Sequence, residues 1–167
     1  MINAMRQLWA PWRVDFIKGP RPSECFFCEA ADAPERRDAE LHVLSRTNRS
    51  LVLMNLYPYN NGHLLVAPRR HLGSLEQLDL ESANDLTMLT QRALRALGAA
   101  LQPDGFNLGI NQGKVAGAGV ADHVHQHVVP RWDGDTNFMP VIGDVKVMNE
   151  HLDSSYRQIR EQFDKIT

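Results

Sequence analysis

The side chains of this chain best suited to chemistry are concentrated in the stretch H-V-H-Q-H-V-V, residues 123–129. It holds three of the seven histidines, at alternate positions: His123, His125 and His127. Because side chains of a β-strand alternate between faces, this spacing predicts three imidazoles on one face of a strand. Three interpretations stay open at this point: a polar strand face, a metal site made by all three, or attack on phosphorus by an imidazole that is neutral near pH 7.

A glycine-rich segment, Q-G-K-V-A-G-A-G-V-A-D (112–122), comes directly before the histidines. Glycine lets backbone amides approach a phosphate closely, but the segment lacks the Gly-Lys-Ser/Thr ending of a P-loop and is weak evidence alone. Followed at once by the histidines, it favours phosphoryl or nucleotidyl transfer. Its candidate phosphate contacts are Lys114, Gly117 and Gly119.

The only cysteines, Cys25 and Cys28, form the motif C-F-F-C. A pair this close in a cytosolic chain indicates a metal half-site or a redox pair rather than a structural disulfide. A redox motif is expected at a helix start near a βαβ pattern, whereas prolines and an acidic, Ala-rich loop surround this one. Metal binding is therefore the favoured interpretation, with a redox pair and incidental thiols as alternatives.

The composition of the 167 residues limits the function classes. Apolar residues make up 43% and charged residues 23%, with a net charge of −2 and no long basic run. A dedicated nucleic-acid or membrane-surface binder needs concentrated Lys and Arg, so neither partner is expected. No apolar run reaches the roughly 20 residues of a membrane span, and the first residues lack the pattern of a signal peptide. The expected location is the cytoplasm.

Hydrophobic periodicity predicts an antiparallel sheet with one long helix on it, an α+β fold. The helix is expected from residues 79–82 to 101, and a terminal helix over 149–165. Residues 1–40 contain four prolines and are predicted to be irregular. The predicted strands are 41–45, 50–55, 63–68, 106–111 and 123–131.

The histidine stretch resembles the hallmark of the histidine triad (HIT) family of nucleotide-binding proteins, His-x-His-x-His followed by two apolar residues. The likeness continues through N-G-H-L-L-V-A-P-R-R-H (61–71) and N-L-G-I-N-Q-G (107–113) and covers most of residues 23–140. Within the family, the chain is similar to the bacterial group related to diadenosine tetraphosphate phosphorylase. The shared features are L-W-A-P-W-R (8–13), N-L-Y-P-Y-N (55–60) and V-P-R-W-D-G-D-T-N-F (129–138).

This resemblance implies a five-stranded antiparallel sheet carrying the long helix. It implies one domain over residues 1–167, with an N-terminal arm (1–40), a core (41–140) and a C-terminal extension (141–167). It also implies a homodimer in which two such sheets join into one.

The resemblance also implies a role for each site residue. The middle histidine, His125, would attack phosphorus and carry a nucleotidyl group, and His127 would contact the phosphate and the leaving group. His63 would line the pocket and support the nucleophile. Asn111 would hold the scissile phosphate, and Asn55 would bind ribose.

One position departs from the family pattern. Many relatives carry a Ser or Thr hydroxyl just before the triad, where this chain reads A-G-A-G-V-A-D. Backbone amides near Gly117 and Gly119 are the expected replacement.

Relatives with a C-x-x-C motif carry zinc. Its other ligands are the histidine closing a Pro-x-x-His run and the first triad histidine, here His71 and His123. Two thiolates and two imidazoles make a closed tetrahedral site, which is structural rather than catalytic. The resemblance therefore implies zinc held by Cys25, Cys28, His71 and His123.

The favoured activity is phosphorolysis of diadenosine tetraphosphate to ATP and ADP. The amides of residues 113–119, Lys114 and Trp132 are expected to surround the phosphate acceptor and keep water out. The alternatives are hydrolysis of dinucleoside polyphosphates or nucleoside phosphoramidates to AMP, and a nucleotide-binding regulator without catalysis.

Two further groups of polar residues receive weaker assignments. A solvated loop is expected for Asp133 and Asp135, with Mg²⁺ entering alongside the polyphosphate as the alternative. His42 and His151 are expected on the surface.

Overall fold

The fold is an antiparallel sheet of five strands, as predicted. The computed structural model describes residues 25–135 and 150–166. The strands are β1 (Val43–Arg46), β2 (Ser50–Met54), β3 (Leu64–Pro68), β4 (Gly105–Ile110) and β5 (Gln126–Arg131). The helices are α1 (Phe26–Asp32), α2 (Leu80–Leu101) and α3 (Leu152–Lys165). The strand order is β1-β2-β3-β5-β4, and all four neighbouring pairs are antiparallel.

The long helix α2 covers one face of the sheet. The Asp79 carboxylate accepts a hydrogen bond from the Ser82 amide at 2.7 Å and so caps its first turn. The last turn ends at Gln102, which adopts the left-handed conformation just before Pro103. The buried stripe of α2 includes Leu86, Leu89, Ala93 and Leu97. It packs on the sheet and on α3, whose residues in this cluster include Val52, Met54, Leu64, Val66, Ile159 and Phe163.

A second apolar cluster lies around α1. Phe27, Ala30 and Ala31 are spaced as one helix face and pack on side chains of β1, β2 and β3. The expectation that residues 1–40 are irregular is therefore wrong for 26–32. The burial of this one face, which the surrounding prolines and acidic residues obscured in the sequence, explains the helix.

The predicted strand over 123–131 is too long at its start. β5 begins at Gln126, which pairs with Val66 of β3 and Ile110 of β4. β3 ends two residues later at Pro68, whose nitrogen carries no hydrogen to extend the ladder. His123 and His125 thus lie in the segment leading into the strand, and of the three triad histidines only His127 belongs to the strand.

Further predictions concern membrane-spanning helices, the two outlying motifs and the division of the chain. No helix in residues 25–135 and 150–166 is both long enough and apolar enough to cross a membrane. The motif L-W-A-P-W-R and the end of V-P-R-W-D-G-D-T-N-F lie outside the described residues. The division into arm, core and extension stays a prediction.

Candidate active site and metal centre

One ring nitrogen of His125, Nε2, carries a lone pair instead of a proton. Its Nδ1 lies 2.8 Å from the carbonyl oxygen of His123, which can only accept, so Nδ1 carries the proton. The Nε2 atom of the neutral ring is then unprotonated. The side chain is 4% exposed, and this burial lowers the pKa of His125 below its ordinary value. The hydrogen bond to the carbonyl opposes that shift and does not cancel it. His125 is therefore a neutral imidazole near pH 7, and the lone pair on Nε2 is the group that a nucleophile requires.

His127 has the opposite proton arrangement, which a chain of hydrogen bonds sets. The backbone amide of Tyr59 donates to Nδ1 of His63 at 3.0 Å, and the Asn55 side-chain amide does so at 3.3 Å. The proton of His63 therefore lies on Nε2, 2.9 Å from Nδ1 of His127. Since that Nδ1 accepts, a neutral His127 carries its proton on Nε2. A nucleophilic nitrogen and an N–H donor thus occur on neighbouring triad rings.

Ring contacts hold these imidazoles in place. Tyr59 lies against His63, with ring centroids 4.7 Å apart, and is stacked on His127 at 5.6 Å. The rings of His125 and His127 meet edge to face at 5.0 Å. Sequence reasoning missed Tyr59, although its position four residues before His63 in the turn-rich loop was a usable signal.

Asn111 lies at the same end of the sheet as His125. Ile110 of β4 and Gln126 of β5 are the last paired residues, so Asn111 and His125 are the next positions beyond the ladder. A Cβ atom on Gly117 would lie 3.9 Å from Nδ2 of Asn111, which places the glycine-rich loop beside the Asn111 side chain. The predicted role of Asn111 in holding the scissile phosphate stays a prediction.

The glycine-rich loop uses its amides internally. The Gly117 amide donates to the carbonyl of Lys114 at 3.0 Å, and the amides of Ala116 and Ala118 donate to the carbonyl of Gly113. The Gly117 amide is thus engaged within this turn, and its predicted contact with phosphate stays a prediction. Gly117 instead provides a φ of 86°, which other residues rarely adopt. Lys114 is exposed in the same turn.

The acidic loop after β5 is tied down by its own contacts. Both Asp135 oxygens accept from the Arg131 guanidinium, at 2.6 and 2.7 Å, and one also accepts from Asn60 at 2.8 Å. These bonds use the carboxylate that a bridging cation would need. The Trp132 amide donates to the same carboxylate at 3.2 Å, and the Trp132 side chain is half-buried directly after the strand.

The four predicted metal ligands come together in one cluster. One ligand atom from each of Cys25, Cys28, His71 and His123 lies within 4.8 Å of all the others. Nδ1 of His123 is 3.3 Å from the Cys25 sulfur, and Nδ1 of His71 is 3.2 Å from the Cys28 sulfur. Ordinary bond lengths around tetrahedral zinc place sulfur and nitrogen donors about 3.6 Å apart. The donor set and its dimensions fit zinc.

The ring of His123 is oriented as a metal ligand. Its Nε2–H donates to the carbonyl of Pro68 at 2.8 Å, which leaves the Nδ1 lone pair facing the two thiols. Burial lowers the pKa of His123 to about 4, so the ring is neutral at pH 7. Burial and the neighbouring Cys25 raise the pKa of Cys28 to about 11 in the absence of metal. A bound cation would reverse that preference and hold the thiolate.

The two histidines outside the motifs differ from one another. His151 is exposed, as predicted, and its Nδ1 accepts from the Asp153 amide at the start of α3. The surface prediction is wrong for His42, which is half-buried. Its Nε2 lies 3.1 Å from the Asp153 carboxylate, and its ring meets Tyr156 edge to face. His42 thus fastens α3 to β1, a contact over 111 residues that local sequence could not reveal.

Comparison with known proteins places this site in a family. The family model described as HIT domain matches residues 36–134. A protein of Mycobacterium tuberculosis named AP-4-A phosphorylase is 39% identical, over 96% of this chain and 86% of that protein. Adenosine 5'-monophosphoramidase hnt1 of Schizosaccharomyces pombe is 32% identical over 64% of this chain and 74% of its own. A Zn-bound histidine triad family protein from Mycobacterium smegmatis superposes with a TM-score of 0.64 and 28% identity, covering 85% of this chain and 94% of the other.

Proposed function

The chain belongs to the HIT domain family, and on that premise we propose that it cleaves diadenosine tetraphosphate through a nucleotidyl group carried on His125. The observation that carries this proposal is the pairing of opposite tautomers on His125 and His127. An unprotonated Nε2 can attack phosphorus, and a neighbouring Nε2–H can donate to the oxygen that gains charge. The 39% identity to a protein named AP-4-A phosphorylase supports the substrate.

In the first step, Nε2 of His125 attacks the α-phosphorus. The N–P bond forms, the P–O bond to the rest of the polyphosphate breaks, and ATP leaves. The attacking ring becomes positively charged, and its Nδ1–H still donates to the His123 carbonyl, which stabilises that charge. His127 donates its Nε2 proton as a hydrogen bond to the leaving oxygen or to a phosphate oxygen. A leaving triphosphate oxygen is weakly basic, so donation suffices in the absence of the Ser or Thr hydroxyl.

In the second step, inorganic phosphate attacks the nucleotidyl-histidine. A new P–O bond forms as the N–P bond breaks, so ADP leaves and His125 regains its lone pair. The two steps together convert one tetraphosphate and one phosphate into ATP and ADP. Lys114 supplies positive charge for the incoming phosphate, the Gly119 amide is a candidate donor, and Trp132 limits the access of water.

Three further side chains orient this chemistry. His63 sets the tautomer of His127 through their hydrogen bond. Asn111 holds the scissile phosphate next to His125. Asn55 binds the ribose of the nucleotide, and its side-chain oxygen, which accepts from the Tyr57 amide at 2.9 Å, fixes the loop that carries it.

We assign a structural zinc ion to Cys25, Cys28, His71 and His123. Four protein ligands leave no position for substrate, so the metal supplies rigidity to the segment before β5 and takes no part in the chemical steps. The Pro68 carbonyl that accepts from His123 supports this assignment, because ligating histidines regularly donate their second N–H in this way.

A homodimer is the assembly we propose. β4 ends the strand order of the sheet and exposes Leu108 to 49%. An unpaired strand edge with an apolar side chain is a template for pairing with another chain. A second copy that adds its own β4 would join the two sheets.

Product analysis tests the proposed activity. The protein is incubated with diadenosine tetraphosphate while inorganic phosphate is titrated, and nucleotides are separated by chromatography. Phosphorolysis gives ATP and ADP at a rate that rises with phosphate. AMP as the main product at millimolar phosphate would make the protein a hydrolase, the activity that its likeness to a monophosphoramidase favours as the second candidate. If the protein turns over no substrate under any condition, the remaining candidate function is nucleotide binding without catalysis.

A further inference from the structure

We infer that Phe27 is a positioning residue for the nucleophile His125. The inference rests on the proposed function and concerns a residue that the catalytic assignments above do not use. Phe27 is the second residue of α1 and stands between the two cysteines of C-F-F-C. Its side chain is fully buried, and its ring centroid lies 4.9 Å from that of His123 and 4.9 Å from that of His125.

Two contacts besides the one with Phe27 orient the ring of His125. Its Nδ1 is bonded to the His123 carbonyl, and one edge meets His127. A single hydrogen bond lets an imidazole pivot about the bond direction. The Phe27 ring, tilted by 35° relative to His125, blocks that motion and sets the direction in which Nε2 points.

Phe27 is itself held firmly. Toward the sheet it packs with Ala30, Ala31 and side chains of the central strands. Cys25 and Cys28, which precede and follow Phe27 in the C-F-F-C motif, lie in the candidate metal centre, so a bound metal would fix the backbone on each side of Phe27. Phe27 thus connects the metal centre to the nucleophile by direct ring contact. A displacement of about 1 Å at a reacting atom is enough to lower a rate about a hundredfold.

Substitution of Phe27 by Leu removes the aromatic face and keeps an apolar side chain. We expect kcat to fall about 10- to 100-fold while KM stays within about threefold, because binding contacts are untouched and only the attacking geometry changes. Metal content should stay at about one per chain.

Two controls separate positioning from general destabilisation. Val43→Ala truncates a buried side chain of the same cluster on β1, which β2 and β3 separate from the triad strand β5, and should lower the melting temperature with kcat unchanged. Phe26→Leu changes the neighbouring aromatic residue, which is 36% exposed, and should also keep kcat. If Phe27→Leu retains metal and wild-type kcat, the inference is wrong. It is equally wrong if Val43→Ala loses as much kcat at the same loss of melting temperature.

A measurement on the wild-type protein tests the ring contact without depending on whether a variant folds. NMR should show nuclear Overhauser effects between ring protons of Phe27 and His125, and their absence would overturn the inference. Absence of any turnover by the wild type would contradict the proposed function instead, and the ring contact would still be tested by NMR.

Discussion

Nε2 of His63, the residue directly before β3, lies 2.9 Å from Nδ1 of His127 on the neighbouring strand β5. This contact fixes where the proton of His127 resides, because the Tyr59 amide already donates to the other nitrogen of His63. The nitrogen of a neutral His127 that carries the proton is therefore set by the backbone amide of Tyr59, acting through His63.

Breaking this chain at His63 should impair the chemical step. In His63→Leu, neither ring nitrogen of His127 is selected for protonation, and the Tyr59 amide loses its acceptor. We expect kcat to fall about a hundredfold, the usual range for a displaced proton donor. We also expect the free energy of unfolding to fall by about 1–3 kcal/mol, since the hydrogen bonds that the Tyr59 amide and His127 make with buried His63 are lost. Steady-state kinetics and thermal denaturation measure both, and an unchanged kcat would show that His127 needs no partner.

Substitutions of the second and third triad histidines, His125 and His127, should have different effects on catalysis. His125→Ala removes the attacking atom, so turnover should vanish while nucleotide binding remains measurable by calorimetry. His127→Ala removes a donor, so a nucleotidyl-protein adduct should still form, about 10²- to 10³-fold more slowly. Rapid-quench mass analysis distinguishes the two variants. Activity of His125→Ala within about tenfold of wild type would show that another group attacks.

Metal binding should make an exposed histidine important for stability. His71 is exposed, and an exposed side chain without a ligand role changes stability little on truncation. We expect His71→Ala to lower zinc content below the wild-type value of about one per chain and to lower the melting temperature. His151→Ala removes the other exposed histidine and is the control for zinc content, which it should leave unchanged. Its melting temperature should fall only by the loss of one helix cap, because Nδ1 of His151 caps α3. Equal melting temperatures for the wild type and His71→Ala would argue against a structural metal.

The β4 edge should determine the oligomeric state. Leu108→Glu places a charge on the exposed side of that strand, and we expect it to convert a dimer into a monomer in analytical ultracentrifugation. Val115→Glu, on an exposed loop, should leave the dimer intact. A monomeric wild type would contradict the proposed dimer. A dimer that tolerates Leu108→Glu would show that the interface lies elsewhere than at β4.

The sequence predicted most of the strands, the long helix and the family, because each leaves a local pattern of apolar spacing or a motif. It also predicted the four metal ligands, which come together as expected. It could not predict the contacts that orient the site. The start of β5 depends on where its partner β3 meets Pro68, and the role of Phe27 depends on α1 folding back over the sheet. The Gly117 amide is engaged by a turn that the glycine spacing alone does not reveal.

The stereochemical course at phosphorus tests covalent catalysis by His125 most directly. The substrate is a diadenosine tetraphosphate made chiral at the α-phosphorus by one sulfur atom, cleaved in the presence of phosphate. Phosphorus NMR of the resulting thio-ADP reports the configuration. Attack by His125 and then by phosphate involves two in-line displacements, each of which inverts the centre, so the account predicts net retention. Net inversion would show that phosphate attacks the substrate in one step and would contradict a nucleotidyl-histidine intermediate.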